Sequence, residues 1–242
     1  MQPNRQPPFD RPGFTHGRPD EQLFEFSSHL NSMAAPEDDE EMKKLVTGTT
    51  TVGLTAEDGV VLATDTRASM GHMVSSKVAR KIEAIHPRGA MTISGGVSAA
   101  QNLIKSMQAE SRLYEARRDE EMSMQALSTL LSNFLRSGMF FIVMPVLGGV
   151  DDDGPHVYSF DALGGKTEEE YAVSGSGSQF ALGVLENHFE EGLSIEDAES
   201  IATDAILTAT ERDTASGDGM MRARITEDGV DIDEKIPLED AR

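Results

Sequence analysis

Helical periodicity in this chain is confined to two pairs of segments, with strand patterns before, between and after them. In the first pair, Ala99, Leu103, Ile104, Met107 and Leu113 recur at helical spacing and run out near Arg117-Arg118. Ser123 then suits an N-cap for a helix whose apolar face is Leu127, Leu130, Leu131, Phe134 and Leu135, and Gly138 stops it. The second pair is Ser176–Phe189 and Ser194–Arg212, the latter capped by Ser194 with Asp197 three residues on. Strands are expected at Thr50–Leu54 and Val60–Asp65, joined as a hairpin through Glu57-Asp58-Gly59. Further strands are expected at Ala79–His86, Ala90–Gly95 and Phe140–Leu147, where Pro145 points to an edge or bulge. His156–Phe160 and Glu170–Ser174 follow, separated by Gly164-Gly165, and Met220–Thr226 and Val230–Ile232 close the order. A parallel α/β fold would alternate strand and helix singly. Blocks of strands between helix pairs predict an α+β fold instead: a four-layer αββα sandwich of two antiparallel sheets flanked by helix pairs.

The pattern begins abruptly at Gly48. Residues 1–48 hold six of the ten prolines and the acid run Glu37-Asp38-Asp39-Glu40-Glu41. Such a segment buries too little apolar surface to order itself, although Leu23, Phe24, Phe26 and Leu30 offer one short contact patch. It reads as a disordered pro-segment that is removed, leaving 49–242 as the catalytic domain. The absence of cysteine excludes disulfides, thiolate zinc sites and a cysteine nucleophile. The six histidines show no metal-ligand spacing, and neither a metal nor another cofactor is expected. A net charge of −21, from 42 acids and 21 bases, repels nucleic acid and anionic membranes. Only seven of those bases are lysine, and an acidic, lysine-poor surface suits a cell with high internal salt. No apolar run of about 18 residues suits a membrane span, and the polar start of the chain lacks a signal-peptide core. The expected location is the cytoplasm.

The boundary itself carries chemistry. In Gly48-Thr49-Thr50-Thr51-Val52-Gly53, cleavage after Gly48 would make Thr49 the first residue of the working chain. An N-terminal threonine brings a hydroxyl and an amine together, so nucleophile and base arrive on one residue. The amine's ordinary pKa of roughly 7.7–8.0 needs only a modest downward shift to serve as a base at neutral pH. Three threonines are also a common way to begin a strand. A buried Lys81 beside Thr49 would lower the amine's pKa and polarise the hydroxyl, and Asp65 is placed to be its partner. Ser176, in Gly175-Ser176-Gly177-Ser178, sits where a strand meets a helix N-terminus. Asp213 and Ser216, after the last long helix, could bond to the amine and to Ser176, and Gly95 could offer its N–H to an oxyanion. Each of these has a plainer reading: a solvated lysine, a turn aspartate, a tight Gly-Ser turn or a helix C-cap.

Taken together, the motifs resemble archaeal proteasome β subunits, with halophilic archaea as the expected source. The resemblance rests on Gly48/Thr49-Thr50-Thr51-Val52-Gly53, Ala63-Thr64-Asp65-Thr66-Arg67, Lys81, Gly175-Ser176-Gly177-Ser178, Gly183-Val184-Leu185-Glu186 and Arg212-Asp213-Thr214-Ala215-Ser216-Gly217. It covers nearly all of 49–242 and fails in 1–48. It implies an N-terminal-nucleophile hydrolase fold and autocatalytic cleavage between Gly48 and Thr49. It implies peptide-bond hydrolysis through an acyl-ester on Thr49, tuned by Asp65 and Lys81, positioned by Ser176, Asp213 and Ser216, with Gly95 as oxyanion donor. Ala68, Ala79, Ile93 and Val97 would line the pocket before the cut bond and favour large apolar residues, while Glu83 would admit a basic one. Seven β subunits would form a ring, two rings would stack, and α subunits would close the ends. An ATPase would feed unfolded polypeptides into the closed chamber. Rivals are the bacterial proteasome-like subunit that pairs with a heat-shock unfoldase, a small-molecule amidase of the same fold, and a catalytically silent ring subunit.

Overall fold

The computed structural model describes residues 48–138, 140 and 143–241. Apart from Gly48, the expected pro-segment lies outside them. Among the described residues the chain runs β1 (Thr50–Ala56), β2 (Gly59–Asp65), β3 (Ala68–Met70), β4 (Met73–Ser76), β5 (Ile82–His86) and β6 (Gly89–Thr92). Helices α1 (Val97–Arg118) and α2 (Met124–Arg136) follow. Then come β7 (Val146–Asp151), β8 (Gly154–Phe160), β9 (Lys166–Glu168) and β10 (Tyr171–Gly175). Helices α3 (Ser178–His188) and α4 (Ile195–Arg212) precede β11 (Met220–Thr226), β12 (Gly229–Ile236) and a short 3-10 turn at Leu238–Asp240.

One five-stranded sheet has the order β10-β1-β2-β11-β12 and the other β5-β6-β7-β8-β9, with β3 and β4 as a separate hairpin. All described pairings are antiparallel. The period-two alternation of β2 explains the layering. Val60 and Leu62 point between the sheets, against Val146, Val150 and Val157. Val61 and Ala63 point the other way, into a core with Ala181, Leu185, Ala202 and Ile206 of α3 and α4. On the far side, Leu103, Met107, Leu127 and Leu131 of α1 and α2 cover Met91 and Leu147. This is the expected αββα order. Leu62 is fully buried, and its truncation to alanine would cost about 2–5 kcal/mol. The two sheets approach closely where β7 crosses β2. A Cβ built on Gly148 would sit 2.7 Å from Val60 Cγ1, so only glycine fits there.

Helix starts follow their caps. Ser123 Oγ accepts the Ala126 N–H at 3.2 Å, and Ser194 Oγ accepts the Asp197 N–H at 3.1 Å. Several boundaries differ from the sequence reading. The strand expected at Phe140–Leu147 begins only at Val146, because Pro145 has no N–H to give a ladder. Val143 makes a single bridge to Gly95. β5 starts at Ile82 rather than Ala79, because the Ala79 N–H is bonded to Thr66 O at 2.8 Å instead of to a sheet neighbour. β6 stops at Thr92, and Gly95 beyond it has a φ of 104°. α3 begins at Ser178, leaving Ser176 in the turn before it. The β3–β4 hairpin and β9 were not expected. Met70, Met73 and Val74 face solvent, and all of β9 is exposed, so neither shows the alternation of a half-buried strand.

A charged clasp ties three strands of the second sheet. His156 of β8 contacts Glu168 Oε1 of β9 through Nδ1 at 2.6 Å and Asp151 Oδ1 of β7 through Nε2 at 3.0 Å. Asp151 Oδ2 also accepts the Met124 N–H at 2.7 Å, joining the clasp to the first residue of α2.

Candidate active site

Thr49 lies one residue before β1, where that strand is held on both sides. Thr50 pairs with Gly175 of β10, and Thr51 pairs with Thr64 of β2. Asp65 is the last residue of β2, Lys81 directly precedes β5, and Ser176 directly follows β10. Strand ends from both sheets therefore meet at Thr49. Asp213 caps the C-terminus of α4, and Ser216 follows in the loop to β11.

Asp65 is the electrostatic centre. Its Oδ1 accepts Lys81 Nζ at 2.7 Å and the Thr50 N–H at 2.9 Å. Its Oδ2 accepts the Arg67 and Gly217 N–H groups, each at 3.0 Å. Both partners are sealed from solvent, with side-chain exposures of 5% for Lys81 and 0% for Asp65. Burial pushes the Asp65 carboxyl up and pulls the Lys81 ammonium down, while their mutual attraction opposes both shifts. Four N–H donors converging on two oxygens leave no place for a carboxyl proton. Asp65 is therefore held as the carboxylate, and it in turn holds Lys81 charged.

A second network runs along the other side of Thr49. The Thr49 N–H donates to Ser176 Oγ at 3.2 Å, and Ser176 Oγ donates to Asp213 Oδ2 at 2.6 Å. Ser216 Oγ donates to the same oxygen at 2.7 Å and lies 2.8 Å from Thr50 Oγ1. Because the Ser216 proton is committed to Asp213, Thr50 is the donor in that last contact. Gly177 makes the network possible, since a Cβ there would fall 2.0 Å from Thr50 Oγ1. Thr49 Oγ1 itself donates to the carbonyl of Gly48 at 2.7 Å. The hydroxyl thus rests against the peptide group joining Gly48 to Thr49.

A cavity of about 450 Å³ opens beside Thr49. Lys81 and Gly95 line it, together with all five pocket candidates, Ala68, Ala79, Glu83, Ile93 and Val97. Ser75, Ser76, Arg80, Gln101 and Ile104 complete the wall. Glu83 does not stand alone there. Arg80 Nε pairs with Glu83 at 2.9 Å, and Arg80 Nη1 reaches Glu234 at 2.7 Å.

The structure thus gathers Thr49, Asp65, Lys81, Ser176, Asp213 and Ser216 into two linked networks and puts Gly95 on the cavity wall. Sequence reasoning gave no role to Thr50, which joins both networks through its N–H and its hydroxyl. It also gave none to Arg67, which bonds Asp218 at 2.7 Å and the Thr214 carbonyl at 2.9 Å. Arg67 fastens the loop that supplies Asp213, Ser216 and Gly217 to the exit of β2. Its place in the Ala63-Thr64-Asp65-Thr66-Arg67 motif was the available signal.

Stacked antiparallel sheets, helix pairs outside and a threonine opening a strand at a cavity define the N-terminal-nucleophile hydrolase sandwich. More narrowly, the chain belongs to the proteasome subunit family, whose family model matches residues 45–225. It is 67% identical over 190 residues to a proteasome subunit beta of Haloferax volcanii, covering 78% of each chain. It is 64% identical over 194 residues to the proteasome subunit beta of Haloquadratum walsbyi, covering 80% of each. A proteasome subunit beta of Halorubrum lacusprofundi is 60% identical over 205 residues, 84% of this chain and 83% of its own. These are haloarchaeal proteins, in keeping with the acid-rich, lysine-poor composition.

Proposed function

We propose that this chain is a catalytic β subunit of a proteasome core particle, a threonine endopeptidase that hydrolyses peptide bonds of unfolded polypeptides. The observation that carries the reading is the position of Thr49. Its nitrogen is tied to Ser176 and through it to Asp213, and its residue shares a cavity wall with Lys81, whose sealed partner is Asp65. Residues 1–48 are the pro-segment, and Thr49 cuts it off. The Thr49 hydroxyl oxygen adds to the Gly48 carbonyl carbon, the bond to the Thr49 nitrogen breaks, and the hydroxyl proton ends on that nitrogen. Water then hydrolyses the resulting ester, freeing the Gly48 carboxylate, the Thr49 hydroxyl and the amine.

In the mature enzyme the amine is the base and takes the hydroxyl proton through a water. The Lys81 ammonium lowers the amine's pKa by like-charge repulsion and polarises Oγ, and Asp65 fixes the Lys81 charge. Ser176, Asp213 and Ser216 hold the amine in place. Oγ attacks the substrate carbonyl, the Gly95 N–H stabilises the oxyanion, and an acyl-ester forms on Thr49 until water removes it. The cavity takes the side chain before the cut bond. Ala68, Ala79, Ile93 and Val97 give it apolar walls, and the Arg80 pairing offsets the charge of Glu83, so large apolar side chains are preferred over basic ones. The working assembly is two stacked seven-membered β rings closed by α rings in the cytoplasm, with an ATPase acting through the α ring.

The test is Thr49→Ala. Peptidase activity is expected to vanish and residues 1–48 to stay attached, as read by intact mass and terminal sequencing. Normal activity in that variant would remove the proposal.

A further inference from the structure

The bond between Gly48 and Thr49 is gripped at a point that the peptidase reading leaves unused. The Gly48 N–H donates to Ser69 Oγ at 3.0 Å. Ser69 lies in β3 and is 5% exposed, so this hydroxyl is sealed against Gly48 and away from water. Two further contacts fix the same segment. The Thr49 hydroxyl donates to the Gly48 carbonyl at 2.7 Å, and the Thr49 N–H donates to Ser176 at 3.2 Å. Gly48 is thus held by its own N–H on one side and its carbonyl on the other. A steric wall stands behind it: a Cβ on Gly48 would fall 1.8 Å from the Cβ of Ala215. Gly48 therefore lies where no side chain is admitted. The cavity that Thr49 lines has room for one.

We propose that Ser69 is a positioning residue for self-cleavage: its hydroxyl anchors the Gly48 N–H so that the Gly48 carbonyl is presented to Thr49 Oγ, with Ala215 as the backing wall. This rests on the reading of Thr49 as a self-cleaving nucleophile. Without the anchor, rotation about the Gly48 backbone loses the one hydrogen bond described at its N–H and is opposed by the Thr49 contact and the Ala215 wall. Glycine has the widest conformational range of any residue, so the loss falls on the fraction of chains in the reactive geometry. The hydroxyl is needed as an acceptor, which threonine preserves, cysteine offers weakly and alanine removes.

The experiment follows conversion of the full-length chain, assembled with its α subunit, by intact mass over time. Peptidase activity per fully processed subunit is measured in parallel. Ser69→Ala is expected to slow cleavage after Gly48 by about tenfold, the size of one lost hydrogen bond in the transition state. Ser69→Thr is expected to restore the rate, and Ser69→Cys to fall between. Activity per processed subunit is expected to fall by a smaller factor than the cleavage rate, which a general loss of structure would not produce. Equal cleavage rates in the serine, threonine and alanine chains would overturn the proposal. So would equal losses of cleavage and of activity per processed subunit. If Ser69→Ala does not assemble, a threonine chain that assembles but cleaves slowly overturns it as well. Failure of the unsubstituted chain to cleave after Gly48 would instead sink the reading of Thr49 itself.

Discussion

The Lys81–Asp65 pair and the His156 clasp are built from the same ingredients, a basic side chain facing carboxylate from other strands, yet they differ in exposure and company. Lys81 and Asp65 are sealed, and Lys81 lines a cavity that Thr49 also lines. His156 is 15% exposed and Glu168 is 53% exposed, and the pair stitches the edge strand β9 to β8. Sealing raises the strength of a charge and the cost of leaving it unpaired. A sealed charge therefore persists where its field acts on something. A vented pair contributes little beyond holding strands together. The difference separates a candidate catalytic pair from a fastening.

Lys81→Ala gives the sharpest contrast. Activity is expected to fall at least about a thousandfold while the subunit still folds and assembles. Asp65 would keep its bonds from Thr50, Arg67 and Gly217 but lose its buried counter-charge, for a stability loss of about 3–5 kcal/mol. Peptide hydrolysis and thermal melting of the same preparation check both halves, and an assembly failure with normal residual activity would make Lys81 a fastening too. Arg80→Gln is expected to act on selectivity alone. Freeing Glu83 should raise cleavage after arginine relative to phenylalanine by about two- to fivefold, since a half-exposed ion pair is worth at most about 1 kcal/mol. Paired fluorogenic peptides would read the ratio, and adding Glu83→Gln should abolish the change.

His156→Gln should leave hydrolysis untouched and lower stability by about 1 kcal/mol or less, with the effect shrinking at high salt. The pH dependence has a definite sign. Burial works against the imidazolium, but the Glu168 bond and the Asp151 charge outweigh it and hold the His156 pKa above the ordinary histidine range. Burial also opposes ionisation of Asp151, yet the Met124 and Asp153 N–H groups and His156 keep its pKa low. The His156 contribution is complete below about pH 6.5 and fades as pH rises through the folded value. The Asp151 contribution is present above about pH 3.9 and is lost as pH falls through its own folded value. Melting curves of the native and His156→Gln chains across pH 4–9 should converge at the alkaline end. A constant gap would show the clasp to be neutral packing.

The layer order was legible because each helix pair carries an apolar stripe, β1 alternates at Thr50, Val52 and Leu54, and β2 is an apolar run buried on both faces. Phe140–Leu147 misled because an apolar run reports burial, not ladder pairing: Phe140 is buried in the helix-side core without being strand. The β3–β4 hairpin was invisible for the opposite reason, since Met70, Met73 and Val74 lie exposed. At the site, Thr49, Asp65 and Lys81 were readable from motif and spacing. Thr50 and Arg67 were not singled out, because their work depends on partners more than 145 residues away, Ser216 for the one and Thr214 and Asp218 for the other. Ser69 gave no signal at all. Its partner is the backbone of a glycine, and a backbone N–H leaves no mark in a sequence.

The chain of bonds from Thr49 through Ser176, Asp213 and Ser216 to Thr50 is already closed while Thr49 is still an interior residue. Activation on this plan requires no hinge, no lid and no refolding of a loop, only the exchange of one amide for an amine in a seat made ready for it. Loss of the leader and onset of turnover would then share a single time course without a lag, and from Thr49 onward the described residues of the latent form would superimpose on the active one, with a change of chemistry at a single nitrogen.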